Sequence, residues 1–240
     1  MKKKLLIFII TYEAGHRVLE VFKKIPFKNL KKYNVSILIS DDCSKDSTVN
    51  FAKKIKYKKI YINKNHKNLG YGGNIKFCIK YALKKNIDYA VMIHGDCQYN
   101  PKFISKMIKT FDNDEKCYAV NGSRLFYGIK SAIKGGMPFY KLIGNVVLTK
   151  IFNYLIKTNF TDVHSGLWAY RIKGFKNKKF TKLTNSFNFD QEMRFLYLNN
   201  NKIIKEIPIT TRYADERSQL HVIYAIRFLI STLLFCLKRK

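Results

Sequence analysis

The stretch DYAVMIHGDCQYNP, Asp88 to Pro101, decides how the chain is read. Tyr89 to Ile93 is a short apolar run with β-branched residues, the pattern of a buried strand. It ends in His94-Gly95-Asp96-Cys97-Gln98, and Pro101 stands where a helix would begin. An acid at the carboxyl end of a buried strand lies where open α/β sheets bind their ligands. Asp96 and Gln98, two residues apart, both offer oxygen, which suits a hard cation that also holds substrate phosphates. The same residues suit an ordinary strand-ending turn, because Gly and Asp favour turns. The flanking sequence decides between the two readings.

Outward from this stretch, strands and helices alternate. Lys4 to Ile10 predicts a strand ending in Thr11-Tyr12-Glu13, and Glu13 to Lys24 a helix stopped before Pro26. Val35 to Ile39 is a second strand, running into Ser40-Asp41-Asp42-Cys43, with Asp46 or Ser47 as N-cap of a helix to about Lys54. Lys59 to Ile62 is a third strand. Asn68-Leu69-Gly70-Tyr71-Gly72-Gly73-Asn74 then leads into a helix over Ile75 to Lys84, and Tyr118 to Val120 is a further strand before Asn121-Gly122-Ser123-Arg124. Such alternation predicts an α/β fold, a mostly parallel sheet with helices on both faces. The loops after its strands share one rim, so Glu13, Asp41, Asp42, Asn68 and Asp96 should converge. One acid-rich loop is a solvated turn; several on one rim are a site.

The 240 residues carry 46 Lys+Arg against 16 Asp+Glu, a formal charge of +30, and 47% are hydrophobic. That describes a globular chain whose field attracts anions: nucleic acid, phosphorylated substrates or an acidic membrane face. A nucleic-acid-binding protein would show a basic stripe with exposed aromatics. It would leave the acidic rim unexplained, because carboxylates repel phosphates. Five scattered cysteines without a CxxC pair argue against a disulfide framework or zinc site and for a reducing compartment. Leu5 to Ile10 follows a basic start but no small-residue cleavage site, and reads as a strand rather than a signal segment.

The glycine-rich NLGYGGN has neither GxGxxG nor GxxxxGK[ST] spacing, which argues against a dinucleotide fingerprint or a P-loop. Its glycines let backbone approach a ligand or shape the loop before the helix. The Asp41-Asp42 pair can accept hydrogen bonds from a nucleobase or ribose and so suits the nucleoside end of a ligand. Asp96 with a divalent metal suits the diphosphate end.

These segments carry a resemblance. TYEAG, SDDCSKDST, NLGYGGN, HGDCQYNP, NGSR, KGGMPFYKLIGN, DVHSGLWAYR, FNFDQE and KEIPI occur in this order over nearly the whole chain. Together they resemble family 2 glycosyltransferases of the GT-A fold, in the branch of dolichol-phosphate mannose synthase and bacterial polyprenyl-phosphate glycosyltransferases. The resemblance implies a GT-A (Rossmann-like) domain over residues 1–220 and a basic-ended apolar helix, amphipathic or membrane-associated, over 221–240. It implies a metal-dependent, inverting transfer of a hexose from a nucleotide-diphosphate sugar to a polyprenyl phosphate or a growing surface glycan, with Mg2+ or Mn2+ as cofactor. By the same resemblance Thr11, Tyr12, Glu13, Asp41, Asp42, Asn68, Gly70 and Gly73 hold the donor nucleotide. Asp96 and Gln98 take the metal, and Arg124, Ser165, Gly166, Glu192 and Arg217 meet a phosphate or the acceptor. Asp190 is the candidate base and Asp162 a second catalytic candidate; a base is needed chiefly when the acceptor is a hydroxyl. Glu192 reads equally as a first-turn acid favoured by the helix dipole.

Three positions depart from the family pattern. His94 stands where its DxD-type motif begins with Asp. It reads as a metal ligand, a donor to phosphate or a satisfied strand-end residue, and it admits a catalytically degenerate sugar-nucleotide-binding protein. RYADERSQL replaces the late basic stretch that grips diphosphate in the mannose synthases, leaving Arg212 or Arg217 as substitutes. Trp168 occupies a place usually held by a small or basic residue, to stack on a sugar or fill the core.

Val222 to Leu237 is nearly all apolar, interrupted by Arg227, and is followed by Lys238-Arg239-Lys240. It falls short of the ~20 apolar residues of a spanning helix and fits an interfacial one, basic residues at anionic headgroups. Met137 to Ile156 is a second such segment, equally readable as helical core. The expected setting is cytoplasmic and peripheral, at the inner face of the cell membrane. The expected partners are a nucleotide-sugar donor, a lipid-phosphate or glycan acceptor and an anionic membrane surface, with no nucleic acid.

Overall fold

The computed structural model describes residues 2–213 and 222–237. Its first strand, Lys4–Thr11 (β1), is buried at every position after Lys4. A strand with helices above and below it reads as a continuous apolar run rather than an alternation. Asn34–Asp41 (β2), Ile60–Lys64 (β3) and Tyr89–His94 (β4) follow; β1 pairs in parallel with β2 and β4, and β2 with β3. Cys117–Ser123 (β5), Trp168–Arg171 (β6) and Ile203–Pro208 (β7) extend the sheet to seven strands in the order β3-β2-β1-β4-β6-β5-β7. β6 runs antiparallel to both β4 and β5, while β5 and β7 are parallel.

One face of the sheet is covered by Arg17–Lys23 (α1), Thr48–Lys53 (α2) and, later in the chain, the helix over Ile104–Asn113. Tyr71–Lys84 (α3) lies on the opposite face; Ile104–Asn113 is α4. Alternate residues of β1 divide accordingly: Leu5, Ile7 and Ile9 into the first core, Leu6, Phe8 and Ile10 into the second. Ile129–Lys134 (α5) and Phe139–Ile156 (α6) follow β5, and Phe189–Asn199 (α7) joins α3 over the second core. Val222–Leu237 (α8) packs through Phe228 onto Phe152 of α6 and Phe195 of α7. No helix among the described residues is long and apolar enough to cross a membrane.

The predicted α/β sheet with helices on both faces is present, with several boundaries corrected. The first helix begins at Arg17, because residues 13–16 turn back to bond the loop after β2. The third begins at Tyr71 rather than Ile75. Asn121, Gly122 and Ser123, expected in a loop, belong to β5, since pairing with β7 carries that strand further. The short β6 and the outer β7 were not predicted as strands.

Candidate active site

The chain runs β1 to β2 to β3 outward on one side of β1, then returns so that β4 flanks it on the other. Beyond the carboxyl ends of β1 and β4 this reversal leaves a crevice, the usual ligand site of such sheets. The two strand ends meet tightly there. Gly95 N donates to Ile10 O at 2.9 Å, and a Cβ on Gly95 would stand 2.5 Å from Thr11 Cγ2. Asp96 follows with its side chain 36% exposed. Its Oδ1 accepts from the Gln98 backbone N at 2.9 Å. Its Oδ2 lies 3.9 Å from His94 Nδ1 and accepts no hydrogen bond among the described residues.

No group of three or more His, Cys, Asp or Glu that could hold an ion occurs among the described residues. A divalent ion shared between one carboxylate and substrate phosphates needs no such group, and the free oxygen of Asp96 fits it. Gln98 contributes its backbone N–H to Asp96; the residue borders a small cavity of about 120 Å³ with Thr210, Thr211 and Arg212.

His94 is held between Asp96 and Tyr71, with Nε2 3.4 Å from the Tyr71 hydroxyl and its side chain 19% exposed. Its ring meets Tyr99 and Tyr71 edge-on at 5.1 and 5.6 Å. Burial pulls its pKa down, against the pull of Asp96. A Cβ on Gly166 would stand 2.8 Å from His94 Cε1, so the glycine of DVHSG makes room for this ring. Tyr71 then donates to Asp190 Oδ2 at 2.7 Å. Asp190 lies in the first turn of α7 and is partly buried, and its Oδ1 is out of solvent without a hydrogen-bond partner among the described residues. Burial raises its carboxyl to about pKa 7. Tyr71 and Arg194 work the other way, and the Trp168 indole does so without meeting hydrogen-bond geometry.

Several residues expected to touch ligand are engaged within the protein. Asp41 is fully buried: Oδ1 accepts from the Thr11 and Ser44 hydroxyls and Oδ2 from Ser44 N. Thr11 and Asp41 thus tie the ends of β1 and β2 together. Asp42 Oδ1 accepts from Asn65 Nδ2 and Leu69 N, while Oδ2 accepts nothing among the described residues. Tyr12 and Glu13 are exposed on the same rim, and Asn68 is exposed with its Oδ1 on Gly70 N. Asp46 caps α2 through Thr48 and also accepts from Gly15 N. Gly70 has φ +77°, and a Cβ there would stand 2.6 Å from Asn185 O; one on Gly73 would meet Leu69 Cβ at 2.9 Å. Close packing accounts for both glycines.

Asp162 and Arg124 are likewise turned inward, against the expectation of a catalytic acid and a phosphate ligand. Arg124 Nε and Nη2 donate to the two oxygens of Asp162 at 2.6 and 2.9 Å, and Nη1 donates to the Tyr213 hydroxyl at 2.8 Å. Burial would push the Asp162 pKa up; the Arg124 charge outweighs it and holds the carboxyl at about 2. Glu206, from KEIPI, clamps the same loop by accepting from Thr161 N and Asp162 N. Glu192 accepts from Thr184 N at 2.7 Å, bracing the loop before α7 rather than lining a sugar pocket. Ser165 is buried, and its hydroxyl meets no hydrogen-bond partner among the described residues. Trp168 is a fully buried core residue, and Arg217 lies outside the described residues.

Sequence reasoning missed Tyr71 and Arg194. Arg194 is fully buried between the rings of Phe160 and Trp168, at 4.6 and 4.7 Å, with Nε and Nη1 meeting no hydrogen-bond partner among the described residues. No local signal distinguishes it from any other arginine on a helix.

A parallel-sheet crevice with one outward carboxylate and one buried carboxyl defines a ligand-processing α/β site. Residues 6–178 match glycosyl transferase family 2. The chain is 32% identical over 190 residues to the uncharacterized protein MJ1222 of Methanocaldococcus jannaschii, covering 78% of this chain and 75% of that protein. Its fold is similar to that of glucosyl-3-phosphoglycerate synthase from Mycobacterium tuberculosis in complex with Mn2+, uridine diphosphate and phosphoglyceric acid. There the TM-score is 0.70 at 14% identity, over 98% of this chain and 78% of that one. For the complex of that enzyme with Mn2+ and UDP-glucose the TM-score is 0.71 at 14% identity, over 98% and 79%. The protein belongs to glycosyl transferase family 2 and is a glycosyltransferase with a GT-A-like fold.

Proposed function

We propose that the protein transfers a hexose, with inversion, from a nucleotide-diphosphate sugar to a polyprenyl phosphate or growing surface glycan, at the inner face of the cell membrane. The observation that carries the donor reading is Asp96: one of its carboxylate oxygens is free at the switch point, while Asp190 closes the crevice behind Tyr71. The Mn2+ and UDP named for the solved relatives agree with it. A bound Mg2+ or Mn2+, with Asp96 as its protein ligand, would neutralise the departing diphosphate. Tyr12 and Glu13 offer an exposed polar edge to the nucleoside, whereas Asp42 is buried. Where the acceptor is a hydroxyl, the Asp190 carboxylate takes its proton; a phosphate acceptor attacks as the anion it already is. The acceptor oxygen then bonds to the anomeric carbon as the bond from that carbon to the diphosphate oxygen breaks, its electron pair leaving with the nucleoside diphosphate. Asp162 keeps Arg124 and the DVHSG loop in place. His94, packed and hydrogen-bonded within this network, supports a working site over a degenerate one.

The membrane reading has its own support. Tyr140, Val147 and Tyr154 expose apolar surface along one side of α6, and Ile226, Ile230 and Leu234 do so along α8. The sequence has no Asp or Glu between Glu115 and Asp162, nor after Glu216. An apolar face set in purely basic sequence complements an anionic lipid surface. The buried side of α8, opposite that face, meets the segment that carries Asp190: Phe228 packs on His164 at 4.3 Å, and Gln191, next to Asp190, donates to Phe228 O at 3.0 Å.

Calorimetric titration with UDP, GDP, CDP and dTDP, with and without Mn2+ or Mg2+, tests the donor site. Metal-dependent binding of one nucleotide, lost in Asp96→Ala, is expected. Binding of none of them, with Asp96→Ala no different, refutes the reading.

A further inference from the structure

Asp190 is held from one side only. The Tyr71 hydroxyl donates to Oδ2, while Oδ1, shut off from solvent, meets no hydrogen-bond partner among the described residues. The orientation of the carboxyl therefore rests on its bond from Tyr71. Tyr71 is itself immobilised. Its ring stacks on Phe187 at 5.0 Å, meets His94 edge-on, and carries a hydroxyl 3.4 Å from His94 Nε2. A Cβ on Gly166 would stand 3.3 Å from that hydroxyl, so the backbone of DVHSG closes the remaining side. Three separate segments therefore fix one phenol whose hydrogen bond goes to the candidate base.

We propose that Tyr71 is a positioning residue for sugar transfer: its hydroxyl, bonded to Oδ2, fixes the orientation in which the Asp190 carboxyl takes the acceptor's proton. This rests on the reading of Asp190 as the base. From a hydroxyl acceptor the proton passes to the Asp190 carboxylate, and the phenol keeps its own proton throughout; burial holds the Tyr71 pKa well above its ordinary value, with Asp190 adding to that. The hydrogen bond also favours the ionised carboxylate against the desolvation that opposes it. The other groups acting on this carboxyl are Arg194 of α7 and, from β6, Trp168 and Tyr170; of these only Arg194 carries charge at neutral pH.

The test is Tyr71→Phe, which keeps the ring and its stacking and removes only the hydroxyl. In protein labelled with 13C at the aspartate carboxyls, with Asp190 assigned through Asp190→Asn, the Asp190 titration midpoint is expected to rise by about one pH unit. Turnover is expected to fall about tenfold near pH 6.5 and to recover most of that loss near pH 8.5, with the acceptor KM little changed. An unmoved midpoint overturns the proposal, as does a loss of equal size at every pH or one confined to KM. Phe187→Leu frees the ring but keeps the hydroxyl; a smaller change in the same direction is expected, and none at all counts against the proposal. The spectroscopic titration needs no donor. A shifted midpoint in a protein that turns over no sugar nucleotide would remove the transfer reading while leaving the Tyr71–Asp190 coupling in place.

Discussion

Replacing Asp162 by alanine asks whether the acid of DVHSG holds the loop or reacts. Asp162 is fully buried and accepts from Arg124 Nε, Nη2 and N and from His164 N, at 2.6 to 3.2 Å. Alanine leaves the Arg124 guanidinium, itself 6% exposed, without its counter-charge. Removing one partner of a buried pair costs roughly 3–5 kcal/mol, a large share of the ~5–15 kcal/mol that holds a domain folded. Asp162→Leu combined with Arg124→Met removes both charges, and much of the loss is expected to return, because apolar replacements of buried pairs are often neutral. Urea unfolding followed by far-ultraviolet circular dichroism reads both numbers. The pH dependence supplies a second reading. The folded carboxyl titrates at about 2, below its ordinary value of 3.8, so its contribution is complete above the ordinary value and is lost as pH falls towards 2. The double variant should lack that share of acid destabilisation. The reasoning is refuted if Asp162→Ala costs under about 1 kcal/mol while nucleotide binding persists and turnover collapses, for then Asp162 is a reacting group.

Three further outcomes follow from the same geometry. Asp190→Asn should lower turnover to a hydroxyl acceptor roughly a hundredfold to ten-thousandfold, and the unmodified enzyme should show an acidic limb near pH 7. Because the folded carboxyl is raised, the wild type loses stability as pH climbs from the ordinary carboxylate range to about 7, so Asp190→Asn should be the more stable protein at pH 8 in thermal melts. Gly166→Ala drives a methyl to within 2.8 Å of the His94 ring; a loss of about 1–3 kcal/mol is expected, with a fall in turnover, read by urea unfolding and sugar-nucleotide hydrolysis or transfer. Ile230→Glu, on the exposed face of α8, should weaken co-sedimentation with phosphatidylglycerol vesicles while changing stability by no more than about 0.5 kcal/mol; unchanged sedimentation would count against the bilayer face.

β1, β2 and β4 were legible because central parallel strands, covered on both faces, leave continuous apolar runs, and their ends announce the rim; β3 is the half-exposed edge strand. β6 was not, since its four residues are all buried and too few to show a period. What the sequence could not carry was the direction in which each acid turns. Asp41 and Asp42 are adjacent and chemically identical. Yet Asp41 stands opposite Thr11 in the parallel register and is sealed by that hydroxyl and by Ser44, while Asp42 keeps one oxygen free. The same holds across the crevice. Asp162 and Asp190 both follow family motifs, and spacing treats them alike. Arg124, 38 residues away in sequence, places a guanidinium on Asp162 and holds it ionised down to about 2. Asp190 receives one phenol and sits beside an arginine whose own charge burial opposes, so desolvation wins and its carboxyl rises to about 7. Two carboxyls pushed apart in this way divide the labour of a site, one fixed as an anion that holds backbone in place, the other poised to exchange a proton near neutral pH. Long-range partners make that division, and it appears only once the chain is folded.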